Sequence, residues 1–169
     1  MEYTTKCEAE TEKVAQKIAK SLKPGNVLAL SGDLGSGKTV FVKGLAKGLG
    51  IKSIITSPTF VFIKEYSIRK IQNHRLPKSG TGGQAKFKIS NLGSGLGRDG
   101  QISKLVHVDC YRVKNEKDAE AIGLIEYLNQ KNNIIAIEWP DKIKSILPKN
   151  IVKVNFESLG GNVRKITIN

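Results

Sequence analysis

The sequence predicts a single α/β domain whose central sheet is mixed but mainly parallel and is flanked by helices. Two short apolar runs, residues 27–30 and 134–137, are typical of parallel strands buried on both faces. A glycine-rich stretch joins the first run to residues 40–49, where apolar side chains recur at helical spacing. The alternating residues 151–169 predict a C-terminal β-hairpin with a structural role. These patterns together indicate one sheet covered by helices.

Toward the N-terminus, residues 8–23 carry apolar side chains every fourth position and predict an amphipathic helix. The Pro-Gly pair that follows is a typical helix stop. Residues 51–55 fit either an edge strand or a loop. After the turn-like sequence SPT, we expect a strand over residues 60–66.

Residues 32–39 read GDLGSGKT, the G-x-x-x-x-G-K-T pattern of a phosphate-binding P-loop. In this motif backbone N–H groups converge on phosphate oxygens, the lysine reaches the β- and γ-phosphates, and the threonine hydroxyl ligates Mg²⁺. The strand before the loop and the helix after it supply the context that the motif requires. We therefore expect a P-loop NTPase-like domain that binds nucleotide phosphates through Gly32, Asp33, Leu34, Gly35, Ser36, Gly37, Lys38 and Thr39.

Residues 70–104 differ in composition from the rest of the chain. They contain seven of the 17 glycines and little apolar periodicity, which predicts a flexible insertion. With Arg69 included, the segment holds eight Lys or Arg and one acid, so about half of the net charge of +13 comes from it. A basic chain often binds nucleic acid, but a charge concentrated in a glycine-rich loop is more typical of a solvated surface.

Polar residues interrupt two later apolar runs. Glu138 ends the run 134–137, where a Walker B acid would lie beside the P-loop and hold Mg²⁺, although that acid is usually aspartate. On the predicted strand 105–111, His107, Asp109 and Tyr111 share one face because successive side chains alternate. Beyond this strand, a helix capped by Asn115 is expected to break at Gly123 and resume over residues 124–128.

The overall composition fits a soluble globular protein, with 39% hydrophobic and 25% charged residues in a chain of 169. The two cysteines lack metal-ligand spacing, which fits a reducing compartment. No apolar h-region of a secretory signal is visible, and no apolar run reaches the roughly 20 residues of a membrane span. We therefore expect a cytoplasmic protein that does not contact a membrane.

Four motifs occur in a fixed order: GDLGSGKT at 32–39, SPTF at 57–60, HVDCYR at 107–112 and EWP at 138–140. In this combination the chain resembles the TsaE (YjeE) family, bacterial P-loop ATPases required for threonylcarbamoyladenosine (t6A) modification of tRNA. The resemblance covers nearly the whole chain except residues 70–104, where the family normally has a short link.

The resemblance implies that the cofactors are ATP and Mg²⁺. Lys38 and the other P-loop residues would bind ATP, and Thr39, Glu138 and Asp109 would form the metal site. Thr59 would lie in a switch-like segment that senses the γ-phosphate, and Trp139 would lie near the adenine. The candidate catalytic residues are Asp109, Lys38, Glu138 and Thr59.

The resemblance also implies protein partners, a TsaD–TsaB complex whose modification cycle is driven or reset by ATP hydrolysis. The carbamoyl-transfer chemistry would belong to TsaD, and tRNA would be contacted indirectly. Arg112 is the one arginine within a candidate motif, and strand alternation places it opposite Asp109. We therefore predict slow hydrolysis by the isolated chain and faster hydrolysis with a partner.

Two other functions stay open at this point. A P-loop small-molecule kinase would need an arginine lid and an acceptor pocket, and three of the five arginines, Arg69, Arg75 and Arg98, lie in the insertion region. A basic nucleic-acid-binding module would use the net charge of +13. A GTPase is less favoured, because the chain has no N-K-x-D base-reading motif.

Overall fold

The computed structural model describes residues 1–68 and 101–169, which form a seven-stranded mixed sheet with helices on both faces. The strands are β1 (Glu2–Thr5), β2 (Val27–Gly32), β3 (Ile63–Ser67), β4 (Lys104–Asp109), β5 (Asn133–Glu138), β6 (Val152–Gly160) and β7 (Val163–Ile168). The helices are α1 (Glu8–Ala19), α2 (Lys38–Gly48), α3 (Glu116–Ala121), α4 (Leu124–Leu128) and a 3₁₀ segment (Pro140–Ile146). None of the helices within these two stretches has the length and hydrophobicity of a membrane span.

The centre of the sheet is parallel and its edges are antiparallel, which confirms the predicted fold class. The strand order is β1-β7-β6-β2-β5-β4-β3. β2 pairs in parallel with β5 and β6, and β4 pairs in parallel with β5. The antiparallel pairs are β3–β4, β6–β7 and β1–β7. Because β2, β4 and β5 run in the same direction, their carboxyl ends meet at one edge of the sheet.

Alternation along the central strands divides the core between the two faces of the sheet. Leu28, Leu30 and Ile134 pack toward α1 and α2, whereas Ile135 and Ile137 pack toward α3, α4 and the 3₁₀ segment. Every residue of β5 is buried, as expected for a central strand that is covered on both sides.

The two helices that cover the first face approach each other closely at Gly44. A Cβ atom at this position would lie only 2.5 Å from the carbonyl oxygen of Glu12 and 2.6 Å from Cβ of Ala15. Glycine therefore lets α2 pack against α1, which holds the loop before α2 firmly against the sheet.

Several boundaries differ from the sequence-based expectations. Residues 60–62 form a turn rather than a strand, since the carbonyl oxygen of Pro58 accepts hydrogen bonds from the N–H groups of Val61 and Phe62. β3 therefore starts at Ile63. Helix α1 ends at Ala19 instead of continuing to residue 23. Residues 51–55 are a loop rather than an edge strand.

The expected insertion at about 70–104 is only partly within the described residues. β4 begins at Lys104, and Ser103 donates a backbone hydrogen bond to Asn132, so the last residues of that range belong to the sheet. The remainder of the predicted insertion lies outside the described residues.

The C-terminal expectations for local structure are confirmed. The Asn115 side chain caps α3 by accepting a hydrogen bond from the N–H of Asp118 at 3.1 Å. Gly123 adopts a left-handed φ of 79° and separates α3 from α4. β6 and β7 form the predicted hairpin.

Candidate functional site

The motif residues converge at the carboxyl ends of three adjacent parallel strands. Leu30 of β2 is in register with Glu138 of β5, and Glu138 is in register with Asp109 of β4. The loop that follows β2 therefore lies directly beside two carboxylates. In open α/β sheets this edge is the usual place for a ligand.

The glycine loop closes tightly against its surroundings at both of its ends. A Cβ atom on Gly32 would lie 2.5 Å from the carbonyl oxygen of Phe156, so only glycine fits beside β6. Gly37 caps α2 with a left-handed φ of 101° and has no side chain to accept the first helical N–H groups. These donors are therefore free to bind an anion at the start of α2.

Lys38 is buried, and its ammonium group folds back along its own loop. Its Nζ donates to the carbonyl oxygens of Gly32 at 2.7 Å and Asp33 at 2.8 Å. The ammonium also lies 3.9 Å from the ring centroid of Trp139. Burial lowers the pKa of Lys38 from its ordinary value, and the charges of Glu138, Asp109 and Asp33 oppose that shift. A phosphate bound at this loop could replace the neutral carbonyl oxygens as the acceptor for the buried Lys38 ammonium group.

Glu138 joins the P-loop helix to β4 through one carboxylate oxygen. Its Oε1 accepts a hydrogen bond from Thr39 Oγ1 at 2.8 Å and lies 2.8 Å from Nε2 of His107. Glu138 is 3% exposed and His107 is completely buried. Nδ1 of His107 has no hydrogen-bond partner among the described residues. A proton on Nε2 would therefore let the ring donate its hydrogen bond to Glu138. His107 thereby fixes the orientation of Glu138.

Asp109 accepts hydrogen bonds from two different segments. Its Oδ2 accepts from the hydroxyls of Ser57 at 3.0 Å and Thr59 at 2.5 Å, and its Oδ1 accepts from the N–H of Tyr111 at 2.9 Å. The carboxylate thus connects the switch-like segment 57–60 to the end of β4. A metal ion or water at this carboxylate would compete with the two hydroxyls.

The neighbouring thiol has no place in this chemistry. Cys110 packs into the opposite core together with Val108. Burial, with a smaller effect of the Asp109 charge, raises the pKa of Cys110 to about 12. The thiol therefore stays protonated and unreactive near neutral pH.

The donors present here suit Mg²⁺ rather than a metal bound by protein groups alone. Within the described stretches, no group of three or more His, Cys, Asp or Glu residues is arranged to hold a metal. Mg²⁺ usually takes one or two carboxylates, and nucleotide phosphates and water complete its shell. Thr39, Glu138 and Asp109 supply a hydroxyl and two carboxylates at one edge of the sheet, which fits that requirement.

A cavity of about 450 Å³ lies over these groups. Of the predicted site residues it is lined by Leu34, Gly35, Gly37, Lys38, Thr39, Thr59, Asp109, Glu138 and Trp139. The other three predicted site residues do not line the cavity. The carbonyl oxygens of Gly32 and Asp33 accept hydrogen bonds from Lys38, and Ser36 is buried within the loop. A cavity of about 630 Å³ between the 3₁₀ segment and β6 contains none of the predicted site residues.

Trp139 covers the cavity on the side of β4. It follows β5 with a left-handed φ of 58°, which turns its ring toward Lys38. Its ring centroid lies 5.2 Å from that of Tyr111. The ring is thus next to Lys38, and its contact with adenine stays a prediction.

The structure adds residues that sequence reasoning did not assign to the site. Ser57 shares Asp109 with Thr59, and His107 orients Glu138. Glu8 at the start of α1 lines the cavity. Arg164 of the hairpin lies against Gly37. No local pattern could have revealed these contacts, because each joins segments that are far apart in the chain.

Arg112, at the end of its motif, contacts an aromatic ring of segment 57–60. Its guanidinium carbon lies 4.5 Å from the ring centroid of Phe60. Arg112 therefore holds the same segment that Asp109 holds through Thr59, but from the exposed side.

Comparison with known proteins agrees with this arrangement. Residues 5–77 and 90–166 match the family model described as "Threonylcarbamoyl adenosine biosynthesis protein TsaE". Within this span the family model leaves only residues 78–89 unmatched. This gap is shorter than residues 70–104, the segment that the resemblance based on the motifs did not cover. The crystal structure of Bacillus subtilis YdiB superposes with a TM-score of 0.67 and 31% sequence identity, over 99% of this chain and 83% of that one.

Curated relatives give the same family. The protein named tRNA threonylcarbamoyladenosine biosynthesis protein TsaE of Bacillus subtilis (strain 168) is 35% identical over 158 residues, which cover 94% of this chain and 78% of the relative. The protein of the same name from Aquifex aeolicus (strain VF5) is 33% identical over 169 residues, covering 99% of this chain and 94% of the relative. The fold, the four motifs and these matches show that the chain belongs to the TsaE family.

Proposed function

We propose that the protein is a Mg²⁺-dependent ATP-binding protein and ATPase that serves as an accessory factor in t6A modification of tRNA. It would act in the cytoplasm and hydrolyse ATP in complex with TsaD–TsaB. One observation carries this proposal: Lys38, Thr39, Glu138 and Asp109 line one cavity at the carboxyl ends of β2, β5 and β4. Membership of the TsaE family, whose curated relatives are named for t6A biosynthesis, supplies the pathway.

Each group has a role that follows from its position. The free N–H groups at the start of α2 and the Lys38 ammonium would bind the phosphates. Thr39 and Glu138 would hold Mg²⁺, which when bound neutralises charge on the β- and γ-phosphates. Asp109 would orient the attacking water or the metal-bound water. For this role it must release the hydroxyls of Ser57 or Thr59 that now bind its Oδ2.

The site carries features of an enzyme that needs a partner. An arginine that stabilises the transition state can accelerate phosphoryl transfer by about 10³–10⁵. Arg112 instead packs on Phe60. Side chains around the cavity are both apolar and exposed, namely Leu34, Phe60, Val61 and Tyr111, which are 79%, 78%, 57% and 50% exposed. Exposed apolar groups beside a site favour a protein partner that docks there.

The proposal is tested by measuring phosphate release from ATP with and without TsaD–TsaB, in Mg²⁺ and in EDTA. We expect slow turnover by the chain alone, a large increase with the partners, and loss of both in EDTA. Lys38→Ala should reduce turnover to background, because it removes the main cation of the loop. Lys52→Ala, which removes an exposed lysine outside the site, is the matched control and should behave as wild type.

Two results would refute the proposal. If the isolated chain already hydrolysed ATP at the partner-stimulated rate, partner dependence would be wrong. If labelled phosphate moved to a small-molecule acceptor rather than to water, the kinase alternative would replace the ATPase.

A further inference from the structure

A buried arginine of the C-terminal hairpin lies against the P-loop. Arg164 is near the start of β7, at the edge of the sheet where β2 ends, because β7 runs antiparallel to β6. It is only 8% exposed. A Cβ atom on Gly37 would lie 2.6 Å from its Nη1 and 3.4 Å from its Cζ. The guanidinium is thus packed directly on the residue that caps α2.

Among the residues that the structure describes, this cation has almost no partner. Its Nη2 donates one hydrogen bond to the carbonyl oxygen of Asn162 at 3.1 Å. None of the ion pairs formed among residues 1–68 and 101–169 includes Arg164. A guanidinium has five N–H donors, so most of its hydrogen-bonding capacity is unused by residues 1–68 and 101–169.

Arg164 lies at the N-terminal end of α2, where a cation without a partner is unfavourable. The start of α2 carries the positive end of the helix dipole, and a cation there is unfavourable unless an anion is bound nearby. The residue is nine-tenths buried, so few water molecules can hydrate its guanidinium group. Its unpaired nitrogens are not fully buried, so they stay accessible to an anion. Both costs are offset when a multiply charged anion occupies the P-loop. The structure therefore holds Arg164 where it would be stabilised by a ligand rather than by the folded chain.

We propose that Arg164 is a phosphate-binding residue of the nucleotide site, which reaches the phosphates beside Gly37 from the C-terminal hairpin. The inference rests on the proposed function and deepens it. The hairpin then serves as a wall of the site: β6 closes the loop at Gly32 through Phe156, and β7 closes it at Gly37 through Arg164.

The test compares ligand binding by wild type, Arg164→Gln and Lys165→Gln, measured calorimetrically on the full chain in the presence of Mg²⁺. Lys165 is the matched control: it is the next residue on β7, pairs with the exposed Glu2 and carries the same charge. We expect Arg164→Gln to weaken ADP and inorganic tripolyphosphate by the same factor, about 10- to 100-fold, as expected for a hydrogen bond to a charged group. Lys165→Gln should change neither affinity by more than about twofold.

Adenosine, which has no phosphate, separates a phosphate contact from general damage. Its affinity should be the same for wild type and Arg164→Gln, and an equal loss for adenosine would overturn the proposal. Wild-type affinity for tripolyphosphate in a folded Arg164→Gln chain would also overturn it and would leave the proposed function intact. If wild type bound neither ADP nor tripolyphosphate, the proposed function itself would fail. Should Arg164→Gln not fold, Arg164→Met keeps an unbranched chain for the same titrations.

Discussion

Asp109 is the residue at which two segments of the site meet. Its two carboxylate oxygens are occupied by hydroxyls of segment 57–60 and by the N–H of Tyr111. It is 3% exposed, so these hydrogen bonds replace almost all of its hydration. The phosphates, by contrast, would bind mainly to backbone N–H groups and Lys38. Asp109 should therefore matter more for hydrolysis than for nucleotide affinity.

We predict that Asp109→Ala lowers partner-stimulated kcat by about 10²–10⁴, the range typical of a residue that handles the reacting proton or water. The affinity for ATP should change by less than about fivefold. Equilibrium binding and single-turnover hydrolysis measure the two quantities separately. Glu120→Ala, which removes an exposed carboxylate from α3, is the control and should change neither. Undiminished hydrolysis in Asp109→Ala would remove this residue from the mechanism.

For single residues, the sequence indicates which side chains share a face of a strand but not which atoms they contact. Strand alternation correctly places His107 and Asp109 on one face, opposite the buried Val106 and Val108. The same prediction was wrong for Tyr111, because β4 ends at Asp109 and Tyr111 lies exposed in the turn that follows. It does not reveal that His107 pairs with Glu138, because that contact depends on the register between β4 and β5. Register between parallel strands is set by the packing of the whole sheet, and no short motif encodes it.

Among the secondary-structure elements, the edge strand β3 is tied to the body of the domain by Glu65. Its Oε2 lies 2.5 Å from Nζ of Lys104 on β4, and its Oε1 accepts a hydrogen bond from the hydroxyl of Tyr127 on α4. The hydrogen bonds from Lys104 and from Tyr127 lower the pKa of Glu65 below its ordinary value of 4.5. The same contact raises the pKa of Tyr127, as expected when a neutral hydroxyl donates to a carboxylate.

This shift predicts how the edge responds to acid. A carboxylate whose folded pKa is depressed adds stability above its unfolded pKa, and that stability is lost as the pH falls through the folded pKa. Glu65→Gln should therefore lower Tm by at most a few degrees at pH 7, since exposed pairs contribute about 0–1 kcal/mol. The difference from wild type should shrink below pH 4.5, the ordinary pKa of the group.

Thermal unfolding followed by circular dichroism at pH 7, 5, 4 and 3 gives this comparison directly. Tyr127→Phe removes one of the two donors and should reproduce part of the effect at pH 7. A difference between wild type and Glu65→Gln that stayed constant down to pH 3 would show that the glutamate acts through packing instead of charge.

The elements themselves were predictable where pattern and local chemistry agree. The apolar run of β5, the cap of α3 at Asn115 and the break at Gly123 all follow from residue types over a few positions. The strand predicted over residues 60–66 was wrong in its first part, because the carbonyl oxygen of Pro58 draws Val61 and Phe62 into a turn. Their β-forming side chains are overridden by this turn, which also leaves Phe60 and Val61 exposed.

In the whole molecule, the candidate site residues come from distant parts of the chain and lie together at one edge of the sheet. The P-loop was recognisable because its residues are consecutive and its function depends on backbone shape. Arg164 was not, since its contact with Gly37 depends on the antiparallel return of a hairpin that begins more than a hundred residues later. Sequence reasoning therefore gave that hairpin a purely structural role, and the close approach to the loop was missed.

The net charge of +13 is also a property of the whole chain, and the site uses little of it. Among the described residues, the cations that lie at the P-loop are Lys38 and Arg164. Seven further cations lie in the sequence between β3 and β4: Arg69, Lys70, Arg75, Lys78, Lys86, Lys88 and Arg98. If hydrolysis depends on the cavity alone, these charges should not influence it.

We predict that replacing all seven residues by Gln leaves partner-stimulated ATP turnover within about twofold of wild type. Association with tRNA, by contrast, should weaken and become less dependent on salt, because each phosphate contact by a cation adds to the salt dependence. Turnover and tRNA binding at 50, 100 and 200 mM salt test both statements on the same two chains. A large loss of turnover at an unchanged ATP affinity would show that the segment takes part in the complex with TsaD–TsaB. The charge would then serve the partner contact rather than a separate affinity for nucleic acid.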